Sequence, residues 1–333
     1  MRVLVTGANG FIGSHVTETL VARGHRVRGL VQPGTPLENL DGVDVETVPG
    51  DVRDRDAMRR ACQDQDAVVH LAAIPSDWAP AALIQAVNVG GTRHLVGAAL
   101  GAGCRRLVLV SSLAVHDSRG HRDAREDRPR DREGLPYAES KRQAEDVVLD
   151  PRLRDRLESV VVRPGLVPFG PRDRLFSLQL CQVLRGPLLP LINGGRTVLC
   201  TSYVENLAGG IALAAERPEA AYETLNLTDD GAPTWADFFG AFARELGASP
   251  RTPGLPWAPI HGVARLLEMV WGLAGLRAAP PLTRYRVDLM RYDFHFSSAR
   301  AKRVLGYSPT VDLQEGVRRT VAWVRTQGGA RAR

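Results

Sequence analysis

The chain has 333 residues with 44% hydrophobic content, enough for a sizeable core, so one large domain with a smaller appendage is expected. A net charge of +6 and a pI near 9.5 suggest a nucleic-acid partner, but the arginines are interleaved with aspartates, as in Asp51-Val52-Arg53-Asp54-Arg55-Asp56, which argues against one. Cys62, Cys104, Cys181 and Cys200 show no C-x-x-C spacing, so no metal site and no disulfide framework is expected; no apolar run reaches the roughly 18 residues of a membrane span, and Met1-Arg2 leads straight into a strand, which together predict a cytoplasmic protein.

Apolar runs rich in Val and Leu recur at 3–5, 27–31, 43–48, 67–71, 107–110 and 160–162, and helical patterns lie between most of them at 11–23, 55–61, 88–102 and 137–149. This alternation predicts an α/β fold: a Rossmann-like, doubly wound parallel sheet with helices on both faces. After Arg163 the rhythm breaks into Pro- and Gly-rich loops with helices at 206–215, 235–246 and 313–325. The expected division is therefore a dinucleotide-binding domain over 1–165, to which a later strand and helices can return, a mostly substrate-binding part over 166–327, and a disordered tail over 328–333.

Between the first strand and the first helix lies Thr6-Gly7-Ala8-Asn9-Gly10-Phe11-Ile12-Gly13, a G-x-x-G-x-x-G spacing. Glycines at this turn let backbone N–H groups and the helix N-terminus approach a pyrophosphate. The second strand ends at Val31-Gln32-Pro33, without the carboxylate that would accept from an NAD ribose, so NADP(H) is slightly favoured over NAD(H). Asp51-Val52, after the third strand, offers a carboxylate and an amide to the adenine; alternatively Asp51 caps the next helix.

Only two of the 43 basic residues are lysines, Lys141 and Lys302. Lys141 follows Tyr137 by four positions, one helical turn, and a compact ammonium there can lower a phenol's pKa from about 10 toward neutrality where a guanidinium fork serves poorly. Tyr137 and Lys141 are the candidate acid and base.

The glycine loop, Asp51, His70-Leu71-Ala72-Ala73, Asn88, Ser111-Ser112, Tyr137/Lys141 and Arg163-Pro164-Gly165, in this order, resemble an extended short-chain dehydrogenase/reductase over nearly the whole length. The resemblance implies that Tyr137 exchanges a proton with a substrate hydroxyl or ketone, that Lys141 assists it and holds the nicotinamide ribose, and that Ser112, 25 positions before the tyrosine, orients the substrate oxygen, with Ser111 as the alternative. It further implies that Leu71, Ala72 and Ala73 run beneath the cofactor, that Pro164 and Gly165 pass beside the nicotinamide, and that Asn88 supports the site or merely caps a helix. A homodimer through the helices at 88–102 and 137–149 is implied as well.

Within that family, Arg163 to Pro171, Tyr203-Val204-Glu205-Asn206-Leu207-Ala208, Pro281-Leu282-Thr283-Arg284 and Leu305-Gly306-Tyr307-Ser308-Pro309 are similar to the 3β-hydroxysteroid dehydrogenase-like branch, which implies a lipophilic, steroid-like or 3-oxoacyl-like alcohol or ketone. Nucleotide-sugar 4-epimerases, dehydratases and ketoreductases use the same tyrosine and lysine. They commonly carry a phosphate-gripping arginine five residues before the V-x-D/N-x-A segment, where this chain has Leu199, although Arg196 is near. A redox-silent NAD(P) sensor is a third reading, and relatives of that type lack the Tyr/Lys pair. Over 261–275, Val263, Leu266, Leu267, Val270, Trp271 and Ala274 recur at helical spacing, which predicts a lid over a hydrophobic mouth, a helix on a membrane surface or an ordinary core helix. His116 reads as a packing residue or a substrate contact, Ser76-Asp77-Trp78 as a border of the substrate site, and the charge run 119–133 as a solvated flap.

Overall fold

The computed structural model describes residues 1–130, 134–276 and 278–329. In chain order, β1 (Arg2–Thr6), α1 (Phe11–Ala22), β2 (Arg26–Val31), β3 (Glu46–Pro49), α2 (Arg55–Cys62) and β4 (Ala67–His70) alternate as expected. They are followed by α3 (Ala81–Ile84), α4 (Gly91–Ala102), β5 (Arg106–Val110), β6 (His121–Ala124), α5 (Pro136–Val148) and β7 (Glu158–Pro164). The second half contributes β8 (Val167–Phe169), α6 (Ser177–Leu184), β9 (Leu191–Ile192), β10 (Thr201–Tyr203), α7 (Val204–Glu216), β11 (Thr224–Leu227) and α8 (Trp235–Leu246). It closes with β12 (Gly254–Leu255), α9 (Trp257–Leu273), α10 (Arg284–Asp288), β13 (Phe294–Phe296), α11 (Ala299–Leu305) and α12 (Leu313–Gly329).

Seven strands form one wholly parallel sheet in the order β11-β7-β5-β4-β1-β2-β3. Alternate side chains feed two cores. Val3 and Val5 join Val69, Val108 and Val160 against α1, α7 and α11, whereas Leu4 joins Val68, Leu107 and Leu109 against α2, α4 and α5. Burial on both faces explains the continuous apolar runs in the central strands. The order reverses between β1 and β4, so their carboxyl ends part and open the crevice in which such sheets bind ligands. Although the rhythm breaks near residue 165, α7, β11 and α11 return to this sheet.

A third core unites the rest of the second half around Phe169, Phe238, Phe242 and Tyr203, roofed by α12. Leu199 is buried here, its amide donating to Pro233 O at 2.7 Å.

Local departures from the pattern have local causes. The stretch expected as one helix over 88–102 starts earlier, after Pro80, and passes through a wide π-type turn at Gln85–Gly90 before α4. The charge run expected as a flap contains β6, in which buried His121 and Ala124 flank outward Arg122 and Asp123 and pair with Phe294 and Phe296 of β13 across a register shift; its last residues, 131–133, lie outside the described residues. The tail expected over 328–333 begins inside α12, and residues 330–333 lie outside the described residues. Among the described residues no helix is long and apolar enough to cross a membrane.

Phe238 touches Phe169, Phe176, Phe239 and Phe242 and is wholly buried. Phe238→Ala is expected to cost about 3–5 kcal/mol of unfolding free energy, read as a lowered urea midpoint; an unchanged midpoint would mean that this aromatic core contributes little.

Candidate active site

The glycine loop occupies the crevice with backbone alone. Gly7 has φ +69°, and a Cβ on it would stand 3.1 Å from the backbone of Ala72; a Cβ on Gly13 would stand 2.0 Å from Gly7 O. Gly10 caps α1 without any side-chain hydrogen bond, so the first-turn N–H groups, those of Phe11, Ile12 and Gly13, are left to whatever sits at the helix N-terminus. This cradle, which side chains would fill, fits a dinucleotide pyrophosphate. Asn9 locks its outer edge, donating at 2.9 Å to Thr35 Oγ1 and to Pro36 O.

Towards the adenosine end, Gln32 is exposed just past β2. Asp51 does not cap α2. Its carboxylate accepts from the Arg53 amide at 2.9 Å and grips the Arg53 guanidinium at 2.6 Å, which holds its pKa below the usual value, while Asp54 caps the helix. Val52 packs against Gly91, where a Cβ would come within 2.6 Å of its methyl group.

Beneath the loop a chain of buried hydrogen bonds runs from β1 to α5. Thr6 Oγ1 lies 2.7 Å from His70 Nδ1 and accepts from the amides of Leu71 and Ala72 at 3.2 Å, fixing the segment that continues into Ala73. His70 Nε2 contacts Thr92 Oγ1, which donates to Asn88 O at 2.6 Å. Asn88 lies inside the π-type turn and caps nothing. It accepts from the Ile74 amide at 2.8 Å and donates to Ser140 Oγ at 2.9 Å, and Ser140 donates to Tyr137 O at 2.7 Å. Its side chain thus positions the first turn of α5.

Pro136 opens α5, which sets Tyr137 and Lys141 on one face. Ser112, just past β5, lies near enough to the Tyr137 phenol to act on its pKa. The expected lowering of the phenol pKa is absent: burial pushes it up to about 12, opposed by Ser112. Lys141 is lowered to about 8 by burial, opposed by the nearby Glu145 carboxylate, and its Nζ donates to Val110 O at 2.8 Å. Glu145 is in turn gripped by Arg163 at 2.8 Å through both oxygens, both side chains being buried, and Arg130 adds a third donor at 3.1 Å. Ser111 is buried beside Ser112, and its amide donates to Val162 O at 2.7 Å. Gly165, after Pro164, is held by Ser202 Oγ at 2.8 Å, and a Cβ there would lie 2.7 Å from Thr201 O.

Two spaces of about 370 and 240 Å³, counted to their open mouths, adjoin through Leu135, Ala138 and Tyr285, and Tyr137 lines the smaller. Leu113, Leu135, Leu166, Leu289 and Phe294 line the larger; Asp77, Tyr137 and Tyr285 line the smaller, and Tyr285 borders both. His116 reaches the larger space with its ring already engaged. Arg163 Nη1 donates to Nε2 at 3.2 Å, so Nδ1 carries the proton that Pro129 O accepts at 3.0 Å, and burial and Arg163 together lower its pKa to about 4. Asp77 accepts from Thr283 Oγ1 at 2.6 Å and pairs with Arg286 at 3.2 Å, clamping α10 over the cleft, and the Trp78 indole donates to Leu276 O at 3.1 Å. Sequence reading missed Tyr285, Leu289 and Phe294, which lie in a part of the chain without a repeating pattern.

Residues 3–228 match the NAD dependent epimerase/dehydratase family. The chain belongs to that family. As a member it is an NAD(P)-dependent oxidoreductase of the extended short-chain type. It is 30% identical to the 4-hydroxy-2-methyl-3-oxo-4-farnesyl-3,4-dihydroquinoline-1-oxide ketoreductase of Stigmatella aurantiaca, covering 95% of each chain. It is 32% identical to the 3 beta-hydroxysteroid dehydrogenase/Delta 5-->4-isomerase of Mycobacterium tuberculosis, covering 95% of this chain and 88% of that one. Among solved structures, a short-chain dehydrogenase/reductase superfamily protein from Agrobacterium tumefaciens with bound NAD is 26% identical, with a TM-score of 0.75 over 100% of this chain and 99% of the other. UDP-glucose 4-epimerase from Thermus thermophilus, in complex with NAD, is 27% identical, with a TM-score of 0.75 over 98% and 99%. Enzymes acting on nucleotide sugars and on lipophilic molecules are thus both represented, and the 3β-hydroxysteroid dehydrogenase-like branch is not singled out.

The expected preference for NADP(H) is corrected, since both of these structures hold NAD. The local chemistry gives a reason. Gln32 offers a neutral carboxamide, which can accept from a ribose hydroxyl but brings no positive charge to a 2′-phosphate. Arg28 is committed to Glu46 and to the carbonyls of Ala61 and Gln63, and Arg53 to Asp51.

Gly13→Ala is expected to weaken NADH binding about tenfold or more, measured by nicotinamide fluorescence titration; unaltered affinity would show that the loop does not cradle the cofactor.

Proposed function

We propose that this protein is an NAD(H)-dependent oxidoreductase that interconverts a secondary alcohol and a ketone on a lipophilic small molecule. The observation that carries this reading is the apolar wall of Leu113, Leu135, Leu166, Leu289 and Phe294 in the space that adjoins the one lined by Tyr137, the two sharing Leu135, Ala138 and Tyr285. Relatives named for a farnesylated ketone and for a hydroxysteroid support it. Gly7, Asn9, Gly10, Phe11, Ile12 and Gly13 hold the pyrophosphate, Gln32, Asp51 and Val52 face the adenosine, and Leu71, Ala72 and Ala73 run beneath. Pro164 and Gly165 flank the nicotinamide, with Ser111 behind it.

NAD(H) held by these residues would supply or take up the hydride that interconverts the carbonyl and the alcohol carbon. Tyr137 Oη gives its proton to the ketone oxygen, which becomes the alcohol hydroxyl, and Ser112 Oγ donates to that oxygen and orients it. A phenol held up at about 12 is fully protonated at neutral pH and ready to donate. Lys141 stabilises the phenolate left behind. One of its three N–H donors is engaged by Val110 O, leaving two for the nicotinamide ribose and the phenolate. Asn88 acts through Ser140 and positions Tyr137.

A second reading, a nucleotide-sugar 4-epimerase, is favoured by the likeness to the Thermus thermophilus enzyme. It meets the difficulty that Leu199, at the place of the usual phosphate-gripping arginine, is turned into the C-terminal core, while Arg196 is exposed. Turnover of UDP-sugars, with no activity on any steroid-like or 3-oxoacyl ketone in an NADH absorbance assay, would establish this second reading and sink the first.

Tyr137→Phe is expected to keep NADH affinity and to lose about 10²–10⁴-fold in turnover; an active variant would refute the assignment. Lys141 is lowered from 10.5 to about 8, so its ammonium is intact below that pH and is lost as pH rises through it. Ketone reduction should therefore decline above about pH 8, and a profile flat to pH 10 would show that the charge on Lys141 is not used.

A further inference from the structure

Helix α9 packs through one face only. Trp257, Ile260 and Ala264 turn inward against Ile192, Val287 and Met290. The opposite face carries Val263, Leu266, Met269, Val270 and Leu273, with Leu276 just beyond it; Leu273 is 84% exposed, and Leu266 and Met269 are each 55% exposed. The stripe foreseen at 261–275 therefore splits: Leu267 and Trp271 are half-buried, and the rest faces outward. Scattered exposed leucines are ordinary on a protein surface, but a contiguous row at helical spacing is an unpartnered face.

The segment that carries this face is predominantly basic. Between Arg251 and Arg291 the sequence holds six arginines against Glu268 and Asp288. Arg265 is exposed on α9 itself, beside the apolar row. The only carboxylate of the helix, Glu268, is turned to Arg284, accepting from its amide at 2.7 Å and from its guanidinium at 2.5 Å. The end of the helix also borders the cleft, because Leu276 O accepts from Trp78, and the chain then continues to the Asp77 clamp and to Tyr285 beside Tyr137.

We propose that α9 seats the protein on an anionic phospholipid surface, with its apolar row at the acyl boundary and Arg265 at the headgroups. The mouth of the cleft then opens at the lipid surface, and a lipophilic substrate enters from the bilayer; this last step rests on the function proposed above. Charge favours anionic lipid over a second copy of this chain, since a two-fold contact through the same face brings two basic surfaces together.

The test is co-sedimentation of the purified full chain with vesicles of phosphatidylglycerol mixed with phosphatidylcholine, and of phosphatidylcholine alone. Wild type should bind the anionic vesicles about tenfold more tightly than the neutral ones, and added salt should weaken binding. A Leu266→Asp/Leu273→Asp variant should lose about tenfold in anionic-vesicle affinity while keeping its far-UV circular dichroism, NADH affinity and turnover of a water-soluble ketone. Absent binding at low salt, or equal binding by the variant, overturns the proposal. So does a dimer in light scattering that the variant abolishes, with no vesicle binding, since that assigns the face to a second copy. Vesicle binding by a protein inactive on every lipophilic ketone would uphold the surface and sink only the substrate reading.

Discussion

The geometry of the site hangs on the buried fork between Arg163 and Glu145. Arg163 belongs to β7 and Glu145 to α5, so two parallel N–H···O contacts at 2.8 Å pin the helix across the end of the sheet. Taking both charges out of water is costly, and further hydrogen bonds from Arg130 to the carboxylate and from Arg163 to His116 and Glu126 O offset part of that cost. A helix held in this way has no freedom to roll, and its first turn is fixed again through Ser140 and Asn88. Tyr137 and Lys141 are thus placed from both parts of α5.

The same burial governs the electrostatics. Lys141 sits beside an imidazole kept neutral: His70 is lowered to about 3, first by burial and then by the Lys141 charge. A protonated imidazole there would push the ammonium off its proton, so the hydrogen-bonded neutral form of His70 favours the charge on Lys141. Glu145 counters the desolvation of Lys141 while being neutralised itself by Arg163, a division of charge that keeps the lysine titrating near 8. The phenol, with burial as its largest influence, stays protonated.

Tyrosine, ammonium and glycine cradle set out chemistry common to a whole family; the second half of the chain sets out what that chemistry meets. Loops that leave the sheet after β7 build a third core of aromatic rings, and the segment from α9 to β13 folds back from that core to wall the cleft with Leu289 and Phe294 and to latch α10 onto Asp77. One helix thus faces the inside of the molecule at Ala264 and solvent at Leu273.

The alternation of strands and helices, the glycine turn and the Tyr137/Lys141 spacing were legible in the amino-acid sequence because each is a local pattern: a period of two, a period near four, or a backbone turn only glycine admits. The return of β11 to the sheet, the fork between residues 145 and 163, and the contact of Tyr285 with the space before Tyr137 were not, since they join segments separated by 18 to well over a hundred positions and carry no periodic signal. The apolar stripe at 261–275 shows the division most plainly. Its periodicity follows from sequence alone, but which residues of the stripe are covered was decided only when Ile192 and Val287 packed against Ala264 and left Leu266 and Leu273 outside.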